Sequence, residues 1–217
     1  MAAPPDIFLV WGGGGHGKVV ADLIRAVGGA VVGFVDRDPA KLGLEVEPGG
    51  GRVVLTEEEF IRSACRDRRL LGGATALAMA VGNNDLRRRC RQQVEFLNLP
   101  PLVHPSAVVS PSATLGRGTV VFPRAVVNAA AIVGAGVIIN TGAIVEHDVA
   151  VGDDAHVSPG AILCGAARVG VAGWIGAGAV VLPCVAVGER SVVGAGSVVC
   201  RAVGDCVTVT GVPARPR

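Results

Sequence analysis

From Val103 onward a Val, Leu or Ile stands at every sixth position: Val103, Val109, Leu115, Val121, Val127, Val133, Ile139, Val145, Val151, Val157, Leu163, Val169, Ile175, Val181, Val187, Val193 and Val199. Four residues after most of these the side chain is small, as at Ala107, Ala125, Ala143, Ala161, Ala179, Ser191 and Ser197. Two positions of each hexad are therefore built to face inward. An α-helix turns every 3.6 residues and cannot keep a six-residue repeat on one face over so many steps. Three short strands joined by tight corners can, and 18 residues then close one triangular coil. A second period agrees, since Gly116, Gly134, Gly152, Gly170 and Gly188 are 18 apart, as are Gly176 and Gly194. Glycine recurring at one corner points either to a positive φ or to close approach of neighbouring backbones. With parallel strands about 4.8 Å apart, just under six coils make a prism about 27 Å tall.

The first hundred residues follow another rhythm. Residues 7–11 (IFLVW) read as a buried strand, 12–18 (GGGGHGK) as a glycine turn, and the following KVVADLIRAV as a helix with Val20, Leu23, Ile24 and Val27 on one face, ended by Gly28 and Gly29. A second strand covers 30–36 (AVVGFVD). A further helix is predicted at about 57–66, a strand at 78–81 and a basic helix at about 84–97. The chain thus divides into a small Rossmann-like α/β domain over 1–101 and an all-β parallel helix with a C-terminal tail over 102–217, with Pro100 and Pro101 at the junction.

Composition narrows what such a chain can do. Half of its 217 residues are apolar, enough for a sizeable core, and the net charge is only +2. The absence of Tyr and the scarcity of other aromatics remove the stacking platforms of single-strand nucleic-acid binders, so no nucleic-acid partner is expected. No run of about 18 strongly apolar residues suits a membrane helix, and the N-terminus lacks the basic region of a secretory signal, so a cytoplasmic protein without a membrane partner is expected. The six Cys form no CxxC pair and read as free, mostly buried thiols.

Two segments carry candidate chemistry. Gly12, Gly14 and Gly17 match GxGxxG between a strand and a helix, and Asp36 ends the next strand, where a carboxylate can reach a ribose hydroxyl. The same stretch nearly spells a P-loop, but Val19 stands where magnesium needs Ser or Thr. The bland reading is a glycine turn that only packs helix on strand. In the prism, Val145 and Val149 take the inward positions around His147, which places 146–148 at a corner and His147 outward. A histidine of near-neutral pKa suits removal of a proton from an amine attacking a thioester, and Asp148 or Glu146 can orient its other nitrogen. His156 lies half a coil further round and precedes the inward Val157.

The hexads over about 103–204 resemble those of the hexapeptide-repeat acyltransferases, which wind into left-handed β-helices and usually form homotrimers with sites between prisms. The glycine turn with His16, VD at 35–36, VGNN at 81–84 with Arg87, and EHD at 146–148 with His156 and Asn140 resemble the sugar acyltransferases of the sialic-acid O-acetyltransferase type, in particular the bacterial nucleotide-4-amino-sugar N-acetyltransferases. The resemblance implies transfer of acetyl from acetyl-CoA to the 4-amino group of a nucleotide-linked deoxy sugar. It implies His147 as base with Asp148 raising its basicity. Gly13, Gly14, His16, Asp36, Arg37 and Asn140 would bind the sugar nucleotide, with Asn140 lining the reaction site. His156, Gly165, Ala177 and Ala195 would meet acetyl-CoA, and no metal is implied. The closing VPAR at 212–215 is also similar to the family's last segment, where Arg215 could meet a phosphate or simply be solvated.

Rival readings follow from the same residues. An O-acetyltransferase could use the same base on a sugar hydroxyl. A β-helical carbonic anhydrase needs three converging imidazoles, and the four histidines here are scattered. An ice-binding or purely structural β-helix wants regular Thr columns, whereas the outward positions are mixed.

Overall fold

The computed structural model describes residues 6–47, 50–67 and 73–217. They fall into two compact units that divide between Leu102 and Val103. In the first, β1 (Ile7–Trp11), α1 (Gly15–Ala26), β2 (Ala30–Asp36), β3 (Val53–Thr56), α2 (Glu57–Asp67), β4 (Ala76–Met79) and α3 (Asn84–Gln93) follow in order. The four strands form one sheet in the order β3-β2-β1-β4, with every neighbouring pair parallel. The chain moves outward from β1 to β3 and then returns to the other side of β1, so the order reverses between β1 and β4. In open α/β sheets the crevice beyond the carboxyl ends of such strands is where ligands bind.

Several elements differ from the sequence reading. β3 was not foreseen: it is a four-residue run, too short to show alternation. β4 lies two residues earlier than expected because Ala76–Met79 pair with Phe8–Trp11, and beyond them Ala80 already closes on Gly12. α3 stops at Gln93, since Val94 leaves helical geometry at φ −128°, ψ 29°, while Val94, Leu97 and Leu99 stay buried without continuing the helix. Val27 caps α1 and is exposed rather than part of its apolar face.

The second unit is a left-handed parallel β-helix with three faces. Face A stacks Val108–Val109, Val126–Val127, Ile144–Val145, Ile162–Leu163, Val180–Val181 and Val198–Val199. Face B stacks Thr114–Leu115, Ile132–Val133, Ala150–Val151, Arg168–Val169 and Ala186–Val187. Face C runs from Leu102–Val103 through Val120–Val121, Ile138–Ile139, His156–Val157, Trp174–Ile175 and Val192–Val193 to Thr208–Thr210, which pairs antiparallel with Arg215–Pro216. Strands pair with those 18 residues on, as Ile144 with Ile162, until the last coil, where Val192 pairs with Thr208 and Val187 with Val203, 16 residues on. The hexad Val, Leu and Ile residues and the small residues four further on form the core, with Val121, Ile139, Val157 and Ile175 essentially inaccessible. Burying each such branched side chain contributes about 1.5–3 kcal/mol, and the coil stack accumulates that gain. Hydroxyls that face inward are satisfied: Thr119 Oγ1 donates to Gly134 O at 2.7 Å, and Ser191 Oγ donates to Gly204 O at 2.6 Å.

The corners settle the glycine question. From Gly118 to Gly196 every sixth residue has a positive φ, and these include Arg124, Ala130, Asp148, Asp154, Ala166, Ala172, Cys184 and Arg190. The column Gly116, Gly134, Gly152, Gly170 and Gly188 is not among them. A Cβ at Gly116 would lie 2.4 Å from Ala135 N and one at Gly170 2.6 Å from Glu189 N. Close backbone approach, not handedness, keeps that column glycine. The thiols also depart from expectation. All are free, but only Cys90 is buried, while Cys65, Cys184, Cys200 and Cys206 are exposed, because Cys184 and Cys206 occupy left-handed corners and Cys200 follows an inward Val199. Among the described residues no helix is long and apolar enough to cross a membrane.

Candidate active site

In the first unit the glycine turn does three different things. Gly12 has φ 125°, and a Cβ there would lie 2.3 Å from Ala80 O; at Gly17 it would lie 2.1 Å from Gly12 O, which fixes α1 tightly against the strand end. Around Gly14 the space is open. Gly14 precedes α1 with no side-chain cap on the helix, and anions are favoured at such a helix start. A pocket of about 220 Å³ opens here at the carboxyl ends of β1, β2 and β4, lined by Trp11, Gly14, Asp36, Arg37, Lys41, Glu57, Asn83 and their neighbours. That volume is below the roughly 300–1,000 Å³ of sites for drug-sized ligands.

Asp36 is more heavily engaged than its expected role required. Its Oδ2 accepts from Gly13 N at 2.9 Å and Lys41 Nζ at 3.0 Å, and its Oδ1 from Asp38 N at 3.0 Å. Burial opposes ionisation of this carboxyl, but the hydrogen bonds from Asp38, Lys41 and Gly13 outweigh it and hold the group below its ordinary range. Gly14, Asp36 and Arg37 thus line the pocket together, whereas Gly13 secures Asp36 from behind and His16 is outside the lining. His16 is half-buried, and burial, then the nearby Arg87 guanidinium, pushes it down to about 4. Arg87 is itself buried and donates from Nη1 to Val81 O and Gly82 O at 2.9 and 3.1 Å and from Nη2 to Asn84 Oδ1 at 2.9 Å, pinning one wall of the pocket. Lys41, Glu57 and Trp11 were not foreseen. Glu57 accepts from Trp11 Nε1 at 3.2 Å, a pairing across 46 residues that no local pattern signals.

In the prism, His147 lies at the corner between faces A and B, with its side chain 63% exposed. Asp148 takes the left-handed position at φ 60°, which turns its carboxylate back along the chain, and His147 Nδ1 meets Asp148 Oδ2 at 2.8 Å. Adjacent residues on a strand would point apart; the corner brings them together. The carboxylate can only accept, so Nδ1 carries the proton and Nε2 the lone pair. Glu146, the other candidate orienter, is taken by Asn128 Nδ2 at 2.8 Å. One coil above His147 is Gly165, where a Cβ would lie 2.7 Å from both Cε1 and Nε2 of the imidazole. The ring therefore occupies the space a side chain at 165 would need.

Asn140 and His156 form a second group on face C. Asn140 Nδ2 lies 3.0 Å from His156 Nε2, and the His156 ring lies parallel to Trp174, with 5° between planes and 6.2 Å between centroids. Trp174 in turn donates from Nε1 to Ser158 Oγ at 2.8 Å. Trp174 was missed in the sequence, although writing the residues in columns of 18 places it directly beside His156. Ala177 and Ala195 are exposed at the corner between faces C and A, while Gly165 is at the corner between A and B. On a triangular prism the corner holding His147 is opposite the face holding His156, so one chain brings together His147, Asp148 and Gly165, and separately Asn140 and His156, but not the two groups. Among the described residues no cluster of three His, Cys, Asp or Glu could hold a metal ion.

Comparison with known proteins follows both units. The PglD N-terminal domain family matches residues 8–94. The UDP-N-acetylbacillosamine N-acetyltransferase of Bacillus subtilis strain 168 is 40% identical over 115 residues, which are 51% of this chain and 48% of that protein, so the match spans about half the length of this curated relative. The acetyltransferase domain of PglB from Neisseria gonorrhoeae FA1090, solved in complex with acetyl coenzyme A, is 38% identical with a TM-score of 0.87, covering 99% of this chain and 100% of that one. PerB from Caulobacter crescentus, solved with CoA and GDP-perosamine, is 38% identical with a TM-score of 0.86, covering 100% and 98%. Two further structures of that perosamine N-acetyltransferase with the same ligands carry asparagine or alanine in place of one histidine.

Proposed function

Since the chain belongs to the family of nucleotide-linked amino-sugar N-acetyltransferases, we propose that it moves acetyl from acetyl-CoA to the 4-amino group of a nucleotide-linked deoxy sugar, with His147 as general base. The observation that carries this is the His147–Asp148 pair: an outward imidazole whose Nδ1 is held by a carboxylate and whose Nε2 bears the lone pair. As the amine attacks the thioester carbonyl, its nitrogen becomes an ammonium. His147 Nε2 accepts that proton, Asp148 stabilises the resulting imidazolium, and the C–S bond breaks to release the thiolate of CoA, which the proton then neutralises. The pocket of the first unit, with Gly14, Asp36 and Arg37, is assigned to the nucleotide, and His156, Gly165, Ala177 and Ala195 to acetyl-CoA.

Separation of the two histidine groups on one prism supports a homotrimer in which a neighbouring copy completes the site. Face A supports it too, since Val108, Val126, Ile144, Ile162, Val180 and Val198 all face outward and give an association apolar area to bury. The test is direct: purified protein is given acetyl-CoA with UDP-, GDP- and dTDP-linked 4-amino sugars and with the matching 4-hydroxy sugars. Release of CoA with an amino sugar alone supports N-acetylation; release with the hydroxyl counterpart alone overturns it in favour of O-acetylation. Light scattering at working concentration tests the trimer, and a monomer that is fully active would refute it.

A further inference from the structure

We infer that Glu57 is a specificity-determining residue that reads the base of the nucleotide, and that its carboxylate selects guanine, so that the sugar this chain takes is linked to GDP and not to UDP or dTDP. The inference deepens the function proposed above and rests on its assignment of the first-unit pocket to the nucleotide; it does not rest on acetyl transfer.

The sheet sets the place of the base. The glycine turn follows β1, Asp36 ends β2 and Glu57 follows directly on β3, and these strands are neighbours in the order β3-β2-β1. A nucleotide with its phosphates at the glycine turn and its ribose at Asp36 therefore carries its base toward the end of β3. Glu57 stands there, on the wall of the same pocket as Val35, Val81 and Leu86. Those apolar side chains can cover a flat ring but cannot tell one base from another, which takes polar groups.

Two polar groups at this end have opposite character. Glu57 accepts from Trp11 Nε1 through Oε2, and among the described residues its Oε1 has no such partner. A carboxylate offers about four acceptor positions and, when ionised, no donor. Arg37, exposed and lining the pocket too, can only donate. Burial and then the Glu57 charge push the Cys90 thiol up to about 12, against the pull of Arg89 and Arg37, so the two charges act on one neighbourhood. The pocket thus presents an acceptor and a donor to one ring. Guanine answers both: its ring N–H and its amino group stand side by side and fit a carboxylate, while its O6 and N7 accept from a guanidinium. Uracil and thymine have a single ring N–H between two carbonyls, which a carboxylate repels. Adenine and cytosine set their amino group beside a ring nitrogen that can only accept.

The experiment is calorimetric titration of the full-length protein with nucleoside diphosphates, which needs no acetyl-CoA. GDP should bind at least about tenfold more tightly than UDP or dTDP, and inosine diphosphate, which lacks the amino group, should bind about tenfold more weakly than GDP. Glu57→Gln supplies a second readout. Trp11 Nε1 can only donate, so the glutamine oxygen stays on Trp11 and its NH2 turns toward the base. GDP should then lose about tenfold or more, and xanthosine diphosphate, with a carbonyl where guanine has its amino group, should bind the variant more tightly than GDP does. UDP or dTDP bound as tightly as GDP, inosine diphosphate bound as tightly as GDP, or GDP still preferred over xanthosine diphosphate in Glu57→Gln would overturn the base reading. If the variant fails to fold, the inosine diphosphate comparison in the unmodified protein decides alone. A chain that bound no nucleoside diphosphate would lose the pocket assignment and this inference together. A chain with the expected preferences that acetylated no amino sugar would refute the acetyl transfer and not the base reading, and one that acetylated UDP-linked amino sugars in preference would do the reverse.

Discussion

Alanine at position 165 should disable the enzyme without harming the fold. Gly165 does not have a positive φ, so alanine fits its backbone, but the new Cβ would lie 2.7 Å from Cε1 and Nε2 of His147, about 0.7 Å short of ordinary contact at 3.4 Å. The ring must yield, since it is the exposed partner and a corner backbone is not. Its movement is restricted by the 2.8 Å bond to Asp148, so it either shifts by about that distance with its partner or swings out and loses it. Misplacement of a catalytic group by about 1 Å costs up to about 10²-fold, so kcat should fall by about 10- to 100-fold. Stability should move the other way, because removing a glycine stiffens the unfolded chain, which stabilises by about 0.4–1 kcal/mol where the geometry is allowed. The assay is steady-state CoA release beside thermal unfolding for Gly165→Ala, His147→Ala and the double variant. If Gly165 acts through the imidazole, the double variant is no slower than His147→Ala. A kcat within twofold of the parent, a marked loss of thermal stability, or full additivity of the two changes would refute the reasoning.

His147→Ala alone should lower kcat by about 10²–10⁴ with the prism intact, the range for loss of a general base; near-normal turnover of a folded protein would remove His147 from that role. Asp36→Ala leaves Gly13 N–H, Asp38 N–H and the Lys41 ammonium without their acceptor, so it should raise the KM of the nucleotide sugar more than that of acetyl-CoA and also destabilise the first unit by about 1–3 kcal/mol; equal changes in both KM values would take it out of the sugar site. The Asp36 carboxyl is depressed in the fold, so its contribution is present above the ordinary value of 3.8 and is lost as pH falls through the lower folded value. His16 acts in a different window: the fold keeps it neutral down to about 4 while the unfolded chain takes up a proton below 6.5, so stability should fall with pH across that interval. Thermal unfolding of His16→Gln should show a shallower fall between about pH 7 and about pH 5, and an unchanged slope would exclude His16 as its source.

The prism was legible because a β-helix writes its geometry into a single repeat: once Val145 and Val149 are inward, the outward corner at His147 follows. The first unit was legible where a strand or helix is long enough to show a period, as in α1, and illegible at β3 and around Lys41 and Glu57. There the pairing partners are set by sheet order and not by neighbours in sequence. The site was half legible for the same reason. The hexad spacing put His147 outward at a corner and His156 half a coil on, but the pairing with Asp148 over Glu146 depends on one backbone angle, and the packing of Trp174 on a contact 18 residues away.

Repetition leaves a β-helix with a problem of address, since successive coils offer the same corner, with a left-handed residue at Ala130, Asp148, Ala166 and Cys184. Along the corner between faces A and B the stacked residues are Pro111, Ala129, His147, Gly165 and Pro183. Of these, only His147 has a glycine one coil above it, and its ring fills the space that a side chain there would take. A histidine and aspartate moved to 129–130 would meet His147 above them, and a pair moved to 165–166 would meet Pro183. Relocating the chemistry along the prism therefore takes three residues rather than two, and a chain that duplicated or deleted one coil below this level would carry its reactive corner to a new height intact.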